Sequence, residues 1–545
     1  MQETHQSGAI FRRIIPFLVL SFALLIVLAQ THLASQSAQA SESIPLITPN
    51  GETSSAPNCR YGATPLGSDQ IPLLNTLRAG WYVTFGSAAG SVDPGNGAQF
   101  VPVILVKQQK DGAGNYYPQY LIGPDGLTGS SARNYVKNLV SNNPGGLWLV
   151  GNEVDRGPDP DEIESGQGDV FPDIYARAYH DVYYWIKEED PTAQVAVSGL
   201  VQVTPGRLQY LDLMWNAYLN AYGTPMPVDV WNIHLYILPE VNPQGEPNGI
   251  ANVALGTDPT LGRRESGGVA SVCGQNSVYC FAEHDSITIF TEQIIDMRTW
   301  MKEHGQQNKP LILTEYSILY PYEEDGGSCF LQDEHGNCFT EERVHQFMVD
   351  TFNFMETAVD PNLGYPLDNN KLIQQWMWFA VYTPYQTGSA SQLFDENLVN
   401  LTTLGQQFQT SASASATPPN LLIERVNTPV IFTGGGGTGS ATLSVSIRNN
   451  GNTDVTVPFT VRFYANSALT QEIGSVVVNP TVRGCTNGVH TASVNWDNLT
   501  PGPHSYWVKI DSGNAVSETN EGDNIGQGIV LVDPQQVLLP IVRNR

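Results

Sequence analysis

Between residues 58 and 410, short apolar runs alternate with stretches whose apolar residues recur at helical spacing. Eight runs read as strands: Arg60–Pro65, Ala79–Phe85, Phe100–Lys107, Leu147–Glu153, Gln194–Leu200, Asp229–Tyr236, Pro310–Tyr316 and Ile373–Ala380. Helical stretches lie between several of them, among them Ile174–Glu189 and Thr288–His304. This alternation predicts an α/β fold, a (β/α)8 TIM barrel with loop insertions. In that register, long insertions follow the sixth strand (237–287) and the seventh (317–342), both on the C-terminal face.

The texture changes after residue 410. Residues 411–419, Ser-Ala-Ser-Ala-Ser-Ala-Thr-Pro-Pro, are of low complexity and read as a linker. Beyond it, Ala441–Ile447, Val455–Tyr464, Thr491–Trp496 and Ser505–Ile510 alternate at period two, with turns such as Asn449-Asn-Gly-Asn452 between them. That pattern predicts an all-β, immunoglobulin-like sandwich over 420–533, followed by a tail, 534–545.

At the other end, Arg12 and Arg13 precede the apolar run Ile14–Ala29, and Ala38-Gln-Ala40 supplies small residues for cleavage. Residues 1–40 therefore read as an export signal, with an uncleaved anchor as the alternative, and 41–57 as a flexible leader. Export places the protein outside the cell or on its surface, where disulfides form. Of six cysteines, Cys273 with Cys280 and Cys329 with Cys338 are spaced to staple the two insertions. Cys59 and Cys485 are left over, either free or tying two domains together. The formal charge of −27 argues against nucleic acid as a partner. No cysteine or histidine grouping has metal-ligand spacing, and no cofactor is expected.

Two glutamates end apolar runs: Glu153 in Leu-Trp-Leu-Val-Gly-Asn-Glu and Glu315 in Leu-Ile-Leu-Thr-Glu-Tyr. In the barrel register they end the fourth and seventh strands, across the mouth from each other. Paired carboxylates at that position are what glycoside hydrolysis requires, one as acid/base and one as nucleophile or base. For each Glu alone, a surface loop carboxylate is the plain alternative. A general acid must hold a proton, so whichever carboxyl of the pair takes that part is expected to have a raised pKa, Glu153 if the family resemblance described below holds. Asn152 is placed to bond a sugar 2-hydroxyl. Tyr236 is placed to donate to Glu315, and His234 to bridge the pair or bind substrate. Trp376 and Trp378 share one strand face, and an aromatic face complements the C–H face of a pyranose. For Trp376, core packing is the competing reading. Trp81 and Tyr82 face opposite sides, and Tyr82 is the one expected inside the barrel. The acidic stretch Asp511–Asn524 lacks EF-hand spacing and reads as a solvated hairpin.

The strand-ending motifs resemble clan A glycoside hydrolases, in patches over residues 60–410. Phe100-Val-Pro-Val-Ile, Gly-Asn-Glu-Val-Asp, Ile-His-Leu-Tyr and Leu-Thr-Glu-Tyr look most like the "glycosyl hydrolase catalytic core" group, which includes endo-1,3-β-glucanases. The resemblance implies a retaining mechanism, with Glu153 as acid/base and Glu315 as nucleophile, and a polysaccharide substrate, β-glucan first. The C-terminal part resembles the bacterial cell-adhesion-related (CARDB) sandwiches through Leu443, Val445, Ile447, Asn449-Asn-Gly and the segment from Asp511 to Asn524. That resemblance implies an accessory module and possible contact with a cell surface or wall. The rival from another class is a non-catalytic carbohydrate-binding or adhesion protein on a barrel scaffold.

Overall fold

The computed structural model describes residues 57–534, except short internal stretches of which 158–166, 242–250, 263–279 and parts of 320–334 are the longest. The export signal, nearly all of the leader, the C-terminal tail and Cys273 lie outside the described residues. The chain divides into two compact units between Ala416 and Thr417.

The first unit is an α/β fold. Its strands are β1 (Asn58–Ala63), β2 (Ala79–Tyr82), β3 (Gln99–Phe100), β4 (Val103–Ile104), β5 (Val106–Lys110), β6 (Tyr116–Ile122), β7 (Leu147–Val150), β8 (Gln194–Val197), β9 (Trp231–His234) and β10 (Leu311–Tyr316). Short β11 (Glu323–Glu324) and β12 (Ser328–Cys329) pair antiparallel, and β13 (Gln375–Trp378) completes the set. Helices α1 (Leu73–Leu77), α2 (Gly129–Ser141), α3 (Pro172–Glu189), α4 (Pro205–Tyr222), α5 (Ile287–Glu303), α6 (Glu341–Thr357) and α7 (Thr403–Ala414) run between and after them. Proline opens α3 and α4, where its missing N–H costs nothing. Ser286, Thr340 and Thr402 cap α5, α6 and α7 with their hydroxyls.

Two curled parallel sheets form the core: β3-β2-β1-β13-β10-β9 and β4-β7-β8. They are open half-barrels, not the fully closed barrel that the sequence pattern predicts, and both seams have a local cause. Between β8 and β9 a single bridge joins Ala196 to Val230. There the Asp229 carboxylate accepts from the Val195 N–H, a donor that a regular ladder would use. Between β3 and β4 stands Pro102, which has no N–H to give. The predicted single strand Phe100–Lys107 is thus three short pieces, and the last, β5, turns away to form a hairpin with β6.

The predicted linker is also shorter than its composition suggests, because α7 runs on to Ala414. Ser413 and Ser415 satisfy their hydroxyls on the carbonyls of Gln409 and Ser411, and the Asn58 amide holds the Ala412 carbonyl. The run stays helical because α7 buries Leu404, Phe408 and Ala412, and the Asn58 amide ties down its last turn.

Helix α3 buries Ile174, Ala178, Val182 and Ile186 on one stripe. On the same helix, the Tyr175 hydroxyl donates to the Val150 carbonyl (2.6 Å) and accepts from the Ser198 N–H (2.8 Å). It ties together the C-terminal ends of β7 and β8, where the candidate chemistry sits. The two insertions are joined by His284, whose Nδ1 donates to the Ile237 carbonyl while Nε2 accepts from the Leu319 N–H. Burial lowers this imidazole to about 4 and keeps it neutral for that double role. Cys59, Cys280, Cys338 and Cys485 are all disulfide-bonded, so neither of the two left-over cysteines is free.

The second unit is a β-sandwich. One antiparallel sheet has the order β14 (Leu421–Val426), β16 (Gly439–Asn449), β19 (His490–Leu499). The other has β15 (Val430–Ile431), β21 (Ile525–Val532), β20 (Gly502–Lys509), β17 (Phe459–Tyr464), β18 (Glu472–Val478). Alternate residues Ala441, Leu443, Val445 and Ile447 of β16 are buried against Val461, Phe463, Val508 and Val530. The Asp511 carboxylate accepts from the backbone N–H groups of Ala515 and Val516, so the acidic stretch spends that charge on its own turn.

Candidate active site

Strand β7 ends at Val150, and Gly151 (φ +88°) turns the chain so that Glu153 follows at φ +44°. That left-handed conformation is disfavoured for glutamate by roughly 1–3 kcal/mol. Three backbone hydrogen bonds hold it: the Glu153 N–H donates to the Gly199 carbonyl (3.0 Å), and its own carbonyl accepts from Arg156 and Gly168 (both 3.1 Å). Glu315 lies inside β10, with its carbonyl accepting from the Leu235 N–H beyond β9. The two glutamates therefore project from different strands toward one point.

Both side chains are buried, at 1% and 0% exposure, so their charges are set by each other and by a few neighbours. His234 Nδ1 lies 3.1 Å from Glu153 Oε1 and 3.6 Å from Glu315 Oε2. One oxygen of each carboxylate and one imidazole nitrogen all fall within 4.8 Å of one another. The Tyr236 hydroxyl donates to Glu315 Oε1 at 2.9 Å. Glu153 Oε2, Glu315 Oε2 and Asn152 Nδ2 are buried and make no hydrogen bond among the described residues. Two acceptors and a donor thus remain for a polar ligand.

Burial pushes the Glu315 carboxyl up to about 7; the Glu153 charge adds to this, while His234 and the Tyr236 donor oppose it. Glu315, enclosed within its strand, thus holds a proton more tightly than a free carboxyl does. His234 rises above the ordinary imidazole value: burial works against its charge, but Glu315 and Glu153 outweigh it. Two buried acids this close hold one proton between them far more readily than none.

These shifts fix a stability trend. Glu315, His234 and Asp155, the last raised to about 6 by burial, all bind protons more tightly folded than unfolded. Their stabilising contribution is full below their unfolded values and is lost as pH rises through the folded ones. The melting temperature of the first unit is expected to fall between pH 5 and pH 8. Glu315→Gln should flatten that fall, and calorimetry of both proteins across the range checks it.

The structure brings Glu153, Glu315, His234 and Tyr236 together, with buried Asn152 next to Glu153 in the chain. It does not bring the two tryptophans to them. Trp376 packs edge-on against Tyr61 (4.9 Å), which in turn meets Phe352 of α6 and Phe408 of α7. Trp378 packs on Tyr316 and Phe352, and its indole N–H donates to the Ser391 carbonyl. Both rings are fully buried on the helix side of β13, where Trp376 stands in register with Tyr61 of β1 and Trp378 with Tyr316 of β10. The sugar-platform reading of Trp376 and Trp378 is corrected accordingly. Trp378→Ala is expected to cost about 3–5 kcal/mol of stability with an unchanged KM, read by denaturant melts and kinetics. Tyr82 packs on Phe100 of the adjacent strand.

Gly199, at the end of β8, is a contributor that pattern reading misses. A Cβ there would lie 2.3 Å from His234 Cδ2, and the same residue's carbonyl holds the Glu153 N–H. The only trace in the sequence is a small residue just past an apolar run.

Residues 419–527 match the CARDB family model. Among solved structures, the CARDB domain of a Pyrococcus furiosus protein, in complex with di-metal ions, is 22% identical, covers 21% of this chain and 94% of its own, and has a TM-score of 0.18. A GH128 (subgroup I) endo-β-1,3-glucanase from Amycolatopsis mediterranei, in complex with laminaritriose, is 13% identical, covering 65% of this chain and 99% of its own at a TM-score of 0.36. A Bacteroides uniformis β-glucuronidase is 10% identical, covering 87% of this chain and 46% of its own at a TM-score of 0.36. No curated protein matches the chain.

Proposed function

We propose that the protein is an exported, retaining glycoside hydrolase acting on a β-linked polysaccharide, β-glucan first, with the CARDB-matching module as an accessory. One observation carries this reading. Two buried carboxylates from different strand ends face each other with one oxygen of each within 4.8 Å of the other, a tyrosine donor on one and a histidine between them. Retaining glycosidases hold the two carboxyl groups roughly 5–5.5 Å apart, whereas inverting ones need roughly 6.5–9.5 Å to admit a water. The spacing favours retention. It supports a barrel-type framework in which the two curled sheets act as one.

In this reading Glu315 attacks the anomeric carbon, and Glu153 gives its proton to the departing glycosidic oxygen. Glu153 then takes a proton from water, whose oxygen displaces Glu315 from the sugar. Positive charge developing at the anomeric carbon, with the Tyr236 O–H, favours Glu315 as the ionised member of the pair. The shared proton is then left for Glu153. The Asn152 amide donates to the sugar 2-hydroxyl.

Tyr236→Phe should lower kcat by about tenfold to a hundredfold, the worth of one hydrogen bond to a charged group. It should also move the acidic limb of the pH–rate profile upward, since Glu315, which must be ionised to attack, loses a donor that favours its charged form. Steady-state rates across pH check both. The reading as a whole is tested on β-1,3-, β-1,4- and mixed-linked polysaccharides with reducing-end release as the readout. Binding to the panel without release would favour a carbohydrate-binding protein instead.

A further inference from the structure

We propose that Arg207 is the positioning residue of this site, locking the loop that carries Glu153 to the insertion that follows β9. The inference rests on the glycosidase reading above. Arg207 stands in the first turn of α4 and is fully buried. Its Nε lies 2.7 Å from Asp155 Oδ2, and its Nη1 donates to Glu240 Oε1. Both terminal nitrogens donate to the Asn252 carbonyl (3.2 Å), and Nη2 also to that of Ala251 (3.0 Å).

These partners come from two separate pieces of the C-terminal face. Asp155 is two residues past Glu153, and its carbonyl accepts from the Leu255 N–H (2.8 Å). Glu240, Ala251, Asn252 and Leu255 all belong to the insertion after β9. Glu240 Oε1 also accepts from Gln202 (2.7 Å) and Thr204 (2.6 Å), which follow β8. One guanidinium therefore joins three loops around the acid/base.

Stability alone does not call for this arrangement. Two carboxylates and a guanidinium are desolvated together, and well-packed apolar side chains of similar volume commonly serve a fold as well or better. What the ionic cluster adds is registry and field. Glu153 is held at a left-handed φ, so its direction depends on the loop being fixed on both sides. The charged and titratable groups around Glu153 are His234 of β9, Tyr236 just past it, Glu315 of β10, Asp155 of its own loop and Arg207 of α4, with Glu240 behind. Burial and the Glu153 charge both raise the Asp155 carboxyl while Arg207 lowers it, so the cluster and the acid/base act on each other.

The test compares pH–rate profiles of the full chain and its Asp155→Asn, Arg207→Met and Arg207→Lys variants, alongside thermal melts. Removing the Asp155 charge should move the alkaline limb down, and removing the Arg207 charge should move it up, by about half a pH unit or more each. Arg207→Lys should return the limb toward its original position while kcat stays reduced, because a single ammonium cannot span all the partners. Rates that fall only with the folded fraction, with unshifted limbs or limbs shifted the same way, would overturn the proposal. If Arg207→Met does not fold, Asp155→Asn and Arg207→Lys decide it. An original chain that releases no sugar from any substrate would instead sink the glycosidase reading, a separate result.

Discussion

Glu315→Ala is expected to lower turnover of the polysaccharide substrate by at least about three orders of magnitude while leaving the fold intact. Removing the nucleophile removes the covalent intermediate, and no neighbour replaces it. His234 Nδ1 faces the carboxylate from 3.6 Å as a charge partner, and the Tyr236 hydroxyl is its hydrogen-bond donor. The variant should still bind oligosaccharide, because Asn152 and Glu153 are untouched. Its melting temperature should not fall at neutral pH, since one of two mutually repelling buried acids is gone. Circular dichroism, calorimetry and initial rates on one preparation check all three. A variant with unchanged rates would refute the assignment of Glu315.

Glu153→Ala should show a different signature. Protonation matters in proportion to how poor the leaving group is, so polysaccharide turnover should fall by about 10²–10⁴-fold. An aryl glycoside with an acidic phenol leaves without a proton. It should still form the glycosyl-enzyme, giving a burst of phenol followed by slow hydrolysis. A small anionic nucleophile such as azide needs no general base, and should accelerate the second step and appear in the product. Equal loss on both substrate types, with no burst, would mean that Glu153 is not the acid/base.

What the sequence shows of this molecule follows from where each signal is local. The apolar runs at Leu147, Gln194, Trp231, Leu311 and Gln375 lie in strands because burial on both faces leaves few other solutions. The meeting of Glu153, Glu315, His234 and Tyr236 was legible because strand ends in one register bring such residues together. The seams were not, because they depend on single events: the missing N–H of Pro102 and the Asp229 side chain taking the Val195 N–H. Trp376 and Trp378 show a second limit. Period two fixes that they share a face but not which face, and β13 turns them toward Phe352. The rise of the Glu315 carboxyl, and the linking of Asp155 to Glu240 through Arg207, depend on burial and on contacts distant along the chain. The Ser/Ala run before residue 415 had the composition of a linker and the hydrogen bonding of a helix.

The central claim, a retaining pair made of Glu153 and Glu315, is tested most directly by the anomer first released from a β-linked glucan. Proton NMR during the first minutes of digestion distinguishes it before mutarotation mixes the two forms. The account predicts the β-anomer first, and no release by Glu315→Ala. Release of the α-anomer first, or equal release by that variant, would contradict it.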